Sequence, residues 1–215
     1  MFGKIFDPDG LPNRIADILI GIVVTGLMTI VFSIPLVTMG TAVSAGYYAM
    51  AKSVRHHEGY VWKEFWSSFR RNIRTGIGPG IGYTVAGLIL AVDLVYLKGS
   101  TGSMKGMLML AVLAAAVITG MTFFFVFIEL SRFDMGSFEI FRFGVISAFR
   151  HLPTALALVL TAAAAVFLVW IMPWGLFLFP GLAVYADTFL MERVLKKYSP
   201  NPENDPDEAD KWYNR

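Results

Sequence analysis

Long apolar runs recur along the whole chain and restrict what it can fold into. A helix that crosses the hydrocarbon core of a bilayer needs about 20 mostly apolar residues. Six runs reach or approach that length, at residues 15–35, 36–54, 77–97, 106–130, 154–172 and 174–191. Only 16% of the 215 residues are charged, which is fewer than in a typical soluble domain. The pattern predicts an all-α, polytopic membrane helix bundle.

The distribution of lysine and arginine favours six membrane segments over four, because these residues stay on the cytoplasmic side. With six segments and a cytoplasmic N-terminus, 16 of the 18 cations are cytoplasmic, and only Lys98 and Lys105 lie outside. Merging the first run with the second and the fifth with the sixth leaves nine cations on each side. The sequence therefore predicts three hairpins with both termini cytoplasmic. It leaves open whether segments 36–54 and 174–191 cross the membrane fully.

The chain divides into a membrane bundle at residues 1–198 and a C-terminal tail at residues 199–215. The tail, "SPNPENDPDEADKWYNR", is acidic and rich in proline. Such a composition offers little apolar surface to bury, so we expect the tail to be mobile.

Residues 60–74 form the first of two predicted cytoplasmic amphipathic helices. Aromatic side chains recur at helical spacing on one face, and cations occupy another. The aromatics are Trp62, Phe65, Trp66 and Phe69, and the cations are Lys63, Arg70, Arg71 and Arg74. Two interpretations stay open: the helix lies on the membrane and binds anionic lipid, or it docks a cytoplasmic partner protein. Nucleic acid is disfavoured, because bases would compete with lipid for the same aromatics.

The second amphipathic helix is predicted at residues 138–150. Its aromatic face repeats the first pattern at Phe138, Phe141 and Phe149. The polar face is poorer in charge than that of the first helix. We therefore expect this helix to pack between protein and lipid.

Apart from Asp17 and Glu129, which lie near the ends of their runs, two carboxylates fall inside the apolar runs. A charged group at the bilayer centre costs about 2.5–3.5 kcal/mol on insertion scales, so such groups pair inward or serve a function. Asp93 is near the outer end of its run, whereas Asp187 is near the middle of the sixth. For Asp187, a hydrogen-bonded structural group and a proton or cation site both remain open.

The residues for most catalytic chemistry are missing. The chain has no cysteine and three histidines, and His56 and His57 are neighbours that cannot share a helix face. No serine stands in a nucleophile elbow, and "GPGIG" lacks the Lys-Ser/Thr ending of a phosphate loop. We expect a non-enzymatic protein without a cofactor or a metal.

Four segments together resemble the YesL-like family of bacterial integral membrane proteins, a family of unknown function. They are "FDPDG…NRIADI", "SIPLVTMGTAVSAGYY", "HHEGYVWKEFWSSFRRN" and "FPGLAVYADTFLMERV". The resemblance runs in order from Phe2 to Tyr198 and implies a multi-pass protein of the bacterial cell membrane. It supplies no catalytic residues.

The resemblance also implies a role. Relatives are often encoded beside carbohydrate importers of the ATP-binding-cassette type, which implies an accessory or regulatory function and a permease or ATPase subunit as partner. The residues themselves leave a second hypothesis open, a stand-alone carrier or channel for a small solute with Asp187 at its midpoint.

Overall fold

The computed structural model describes residues 11–99, 101, 104–199 and 212. Seven α-helices follow one another in this part of the chain, and the described residues form no strand, so the all-α prediction is confirmed. The helices are α1 (Leu11–Ser33), α2 (Met39–Ala49), α3 (Val61–Gly99), α4 (Lys105–Leu130), α5 (Ser137–Arg150), α6 (Leu152–Ile171) and α7 (Phe179–Tyr198). Short 3₁₀ helices at Leu36–Thr38 and Pro173–Phe177 precede α2 and α7, and a π-helical turn at Met50–Arg55 follows α2.

Four helices are long and apolar enough to cross a membrane, among the residues described. They contain the windows Ala16–Ser33, Val61–Gly99, Lys105–Leu130 and Leu152–Ile171. Helices α2 and α7 do not reach that threshold. Helix α2 is rich in small residues and is buried along most of its length, and α7 carries charged residues in its second half. Helix α2 is mostly covered by its neighbours, whereas α7 is buried on one side and exposes Leu182 and Phe189 on the other.

Helix α3 joins two elements that the sequence predicted as separate, the amphipathic helix 60–74 and the membrane segment 77–97. It runs 39 residues without a break and contains Pro79. Proline removes one backbone N–H and its ring crowds the preceding turn. The helix continues because its two halves have different partners: the first packs along α2, and the second packs along α4.

Helix α2 runs antiparallel to the first half of α3 at very short range. Asn72 of α3 reaches Ser44 of α2, and Gly80 of α3 lies directly against the backbone carbonyl of Val37. A residue with a β-carbon at position 80 would overlap that carbonyl. The absence of a side chain at this point therefore lets the start of α2 meet α3.

Gly80 and Gly82 provide a matched test of this close approach. Gly80→Ala should destabilise the protein by about 1–3 kcal/mol, because the methyl group has no space beside Val37. Gly82 lies in the same helix with no atom within 4 Å of its missing β-carbon, so Gly82→Ala should be neutral or stabilising by up to about 1 kcal/mol. Thermal unfolding in detergent compares the two. Equal transition temperatures for both variants would show that α2 and α3 are not in this register.

Candidate functional site

The predicted cations of the first amphipathic segment project from the exposed side of α3. Lys63, Arg70, Arg71 and Arg74 are all exposed. Two of the guanidinium groups rest on aromatic rings: Arg70 lies 5.0 Å from the ring centre of Trp66, and Arg71 lies 5.3 Å from that of Tyr48. Such cation–π contacts restrict the arginine side chains while leaving their charge at the surface. We call these four residues the cationic face.

The aromatic residues of the same segment face the protein to different degrees. Phe65 is 0% exposed and Phe69 is 7% exposed, and both pack against α1 and α2. Phe32 of α1 contacts Phe65, Phe69 and Trp66 at ring-centre distances of 5.0–5.6 Å. Trp62 is 59% exposed. Phe65 and Phe69 therefore have no surface left for lipid or a partner, and only Trp62 and part of Trp66 remain available.

The aromatic face of helix α5 points away from the bundle, whereas that of α3 points into it. Phe138, Phe141 and Phe149 are exposed, whereas Ile140, Gly144, Ser147 and Ala148 are buried against the rest of the bundle. Gly144 lies against the backbone of Val126 in α4. This arrangement agrees with the expectation that α5 packs between the protein and an apolar environment.

A buried ion pair joins the α4–α5 connection to α7. Arg132 Nη2 donates to Glu192 Oε1 at 2.9 Å, and both side chains are only 4% exposed. The Tyr47 hydroxyl also donates to Glu192, at 3.5 Å, and Arg55 Nη1 donates to the backbone carbonyl of Thr188 at 2.7 Å. Helices α2 and α7 and the α4–α5 connection are thus tied together at one end of the bundle.

The sequence interpretation did not identify Arg132, Glu192 or Tyr47 as a group. Arg132 and Glu192 are 60 residues apart in the chain, and each stands at the end of an apolar run, where a charge is expected in any membrane protein. In the sequence, the one feature that points to this pair is that an arginine and a glutamate, which have opposite charges, stand at the ends of two different apolar runs. That signal does not select one pair among the many charges at the run ends.

Trp212 closes a polar pocket beside this ion pair. The pocket has a volume of about 230 Å³ and is lined by Tyr47, Tyr48, Arg71, Ser131, Arg132, Asp134 and Trp212. The indole ring lies 5.2 Å from the His56 ring and 5.7 Å from both the Tyr48 ring and the Arg132 guanidinium. One residue of the predicted mobile tail is therefore packed on the bundle. Apart from Trp212 and Ser199, the tail lies outside the described residues.

The two predicted intramembrane carboxylates have different surroundings. Asp187 is buried, and its Oδ1 accepts a hydrogen bond of 2.7 Å from the Thr161 hydroxyl of α6. It lines a cavity of about 320 Å³ whose other walls are almost entirely apolar. Asp93 is half-buried in the second half of α3. The structure also reveals Glu129, which is fully buried and has no hydrogen-bond partner for either carboxylate oxygen among the described residues.

No candidate metal centre exists in the described part of the chain, because no three His, Asp or Glu residues converge there. His56 and His57 point into different surroundings: His56 is half-buried beside Trp212, and His57 is exposed. His57 adopts a positive φ of 56° and Gly59 one of 79°, which turns the chain sharply into α3. An ion pair of 2.9 Å between Lys52 and Glu64 closes this turn.

Comparison with known protein families gives one match. Residues 18–94 match the family described as "Protein of unknown function, DUF624". DUF624 is the YesL-like family, so the resemblance is confirmed over α2, most of α1 and most of α3. This region contains the cationic face and its buried aromatic side. Neither a curated protein nor a solved structure matches the chain.

The buried ion pair predicts a strong asymmetry between single and double variants. Arg132→Met leaves the Glu192 carboxylate buried without its main counter-charge, which should cost about 3–5 kcal/mol. Arg132→Met combined with Glu192→Leu removes both charges and should recover most of that loss. The measurement is thermal unfolding of the purified protein in detergent. A double variant that is no more stable than the single variant would contradict this account of the pair.

His56 predicts a pH dependence of stability. Burial is the main cause that lowers the pKa of His56 below its ordinary value of 6.5, and the nearby cations Arg55, Lys196 and Arg132 add to it, while Glu192 opposes it. Since the folded state then binds a proton less readily than the unfolded state, the contribution of His56 is complete above pH 6.5 and is lost as the pH falls below it. The thermal stability of wild type should therefore decrease between pH 7.5 and 5.5.

His56→Gln should remove part of that decrease, because the titrating group is gone. The control is His57→Asn, which changes the exposed neighbour to a residue that tolerates a positive φ. The control should keep the wild-type pH profile. If thermal stability depends on pH identically in His56→Gln and in wild type, the titration of His56 is not the cause of the decrease in stability.

Proposed function

We propose that this chain is a non-enzymatic membrane protein that assists or regulates a carbohydrate importer of the ATP-binding-cassette type. The choice of an importer as partner rests on the resemblance to the YesL-like family. The cationic face of α3 is the surface on which a permease or ATPase subunit would dock. The observation that supports docking most directly is the burial of Phe65 and Phe69 against α1 and α2. Because that side is packed in protein, α3 is fixed and presents its cations in one geometry.

The alternative role for the same face is to bind lipid phosphates. An interfacial helix inserts its aromatic face among the acyl chains and keeps its cations at the head groups. Here the two phenylalanines that would anchor such a helix are buried in the bundle. Of the four aromatic anchors only Trp62 and part of Trp66 remain accessible, which favours a protein partner over a lipid surface at this position.

We also propose that the bundle has six segments in three hairpins, with both termini cytoplasmic. The charge distribution supports this layout, with 16 of 18 cations on the cytoplasmic side. The pairs α1–α2, α3–α4 and α6–α7 each pack together as sequence neighbours. In this layout α2 is an interior segment, consistent with its small residues and its burial. The charge distribution supports a cytoplasmic position for the cationic face, where an ATPase subunit is found, although the packing of Phe32 on Phe65 and Phe69 sets this face level with the C-terminal end of α1.

The docking proposal predicts that charge reversal on the cationic face releases the partner. Arg70→Glu combined with Arg74→Glu should reduce co-purification of importer subunits about tenfold or more, because complementary charges become repulsive. Lys98→Glu combined with Lys105→Glu is the matched control, since it reverses two exposed or half-buried cations at the far end of α3 and α4. The measurement is affinity purification in mild detergent followed by mass spectrometry.

The same experiment can refute the importer role altogether. If wild-type protein brings down no permease or ATPase subunit, and deletion of the gene leaves carbohydrate uptake unchanged, the proposed function is wrong. If subunits co-purify equally with both charge-reversed proteins, the importer role stands and the docking surface lies elsewhere.

A stand-alone carrier for a small solute is the second candidate, and it rests on Asp187. This buried carboxylate lines a cavity of about 320 Å³ and is held by Thr161. Purified protein in liposomes should then move a solute, and Asp187→Asn should abolish the flux while preserving the bond to Thr161. The cavity walls are almost entirely apolar, which is unsuited to a carbohydrate. An absence of flux for sugars, amino acids and small ions would exclude this candidate.

A further inference from the structure

A second cationic site lies away from the cationic face, where α5, α6 and α7 meet. A cavity of about 340 Å³ opens there beside the first turn of α6 and the last turns of α7. Its lining residues are His151, Thr154, Phe189, Leu190, Arg193, Val194 and Lys197. None of the lining residues is an acid.

Positive charge is concentrated around this cavity. Arg193 and Lys197 are both exposed and stand four residues apart on α7, so they share one face of that helix. Like charges at this spacing repel each other and destabilise a helix unless an anion lies between them. Glu192 does not compensate them, because it is buried and bonded to Arg132.

His151 forms another wall of the same cavity. Its Nε2 lies 3.1 Å from the Tyr198 hydroxyl, which holds the ring between α6 and α7. Partial burial lowers the pKa of His151, and the positive charges of Lys197 and Arg150 lower it further. Arg193 and Lys197 line the cavity together with His151, and Arg150 directly precedes this histidine in the chain.

The cavity also lies at an apolar boundary. Helix α6 is one of the four helices able to cross a membrane, and it begins at Leu152, directly after His151. Two apolar side chains of α7 line the opening: Phe189 is exposed and Leu190 is half-buried. A ligand here would have its anionic group among the cations and an apolar part beside these side chains.

We propose that this cavity binds the phosphate head group of an anionic phospholipid from the cytoplasmic leaflet. Arg193 and Lys197 pair with the phosphate, and the acyl chains run along Phe189 and Leu190. Basic pockets between membrane helices recognise lipid head groups in this way. The choice of the cytoplasmic leaflet rests on the proposed six-segment layout, but the proposal does not depend on the importer role, because its lining residues belong to α7 and to the start of α6 and not to α3.

The test is lipid titration of the purified full-length chain, followed by native mass spectrometry. The probe is phosphatidylglycerol, and phosphatidylcholine is the zwitterionic comparison. Arg193→Gln combined with Lys197→Gln should raise the apparent Kd for phosphatidylglycerol roughly 10- to 30-fold, since each cation near a membrane surface contributes about fivefold. The affinity for phosphatidylcholine should change less than about twofold, because that head group has no net charge.

Lys98→Gln combined with Lys105→Gln is the matched control, since it removes two cations from the far end of α3 and α4. It should bind phosphatidylglycerol as wild type does. If the double variant at 193 and 197 fails to fold, Lys197→Gln alone provides the test, with an expected increase of about fivefold in Kd.

Three results would overturn the proposal. The first is an unchanged Kd in the folded variants at 193 and 197. The second is equal weakening by the control pair, which would indicate general charge attraction. The third is displacement of the lipid by an equal concentration of glycerol phosphate, which would show that the site takes a free phosphate compound.

Discussion

The packing of α3 on α2 is the constraint on which the rest of the structure depends. Helix α2 offers a surface of small residues, and Phe65 and Phe69 fill the space above it. Burying a phenylalanine side chain contributes about 1.5–3 kcal/mol. Because this contact fixes one side of α3, it also fixes where the cations on the other side point. The cationic face, the contact of Arg71 with Tyr48 and the polar pocket all follow from that orientation.

Helices α3 and α5 share an amphipathic aromatic pattern, but α3 buries its aromatic face and α5 exposes it. The difference comes from the helices that each of them packs against. In α3 the aromatic face is buried, because α2 presents Ala42, Ala45 and Ala49 and leaves room for large rings. In α5 the buried face carries the small residues Gly144 and Ala148 instead, and the phenylalanines point outward. Helical periodicity predicts which residues share a face. It cannot predict whether an apolar face meets protein or lipid, because both environments accept it.

The sequence was sufficient for the helical class and for the strongest apolar segments, since these depend on local composition. Helical periodicity put Arg70 and Arg74 on a different face from the aromatics, and both side chains are exposed in the structure. It did not predict the continuity of α3 through Pro79, because the partners that support each half are distant in sequence. The Arg132–Glu192 ion pair and the packing of Trp212 against the polar pocket were not predicted, for the same reason. Each requires knowing which helix ends converge, and a single sequence contains no signal for that.

Two adjacent serines offer the most direct test of the orientation of α3. Ser67 is exposed beside the cations, whereas Ser68 is 1% exposed and faces Asn72. The chain has no native cysteine, so Ser67→Cys and Ser68→Cys can each carry a single reactive thiol. A membrane-impermeant maleimide should label position 67 from the cytoplasmic side of inverted vesicles and leave position 68 unlabelled until the protein is denatured. Equal labelling of both positions, or labelling of position 67 from the outer side alone, would contradict the account.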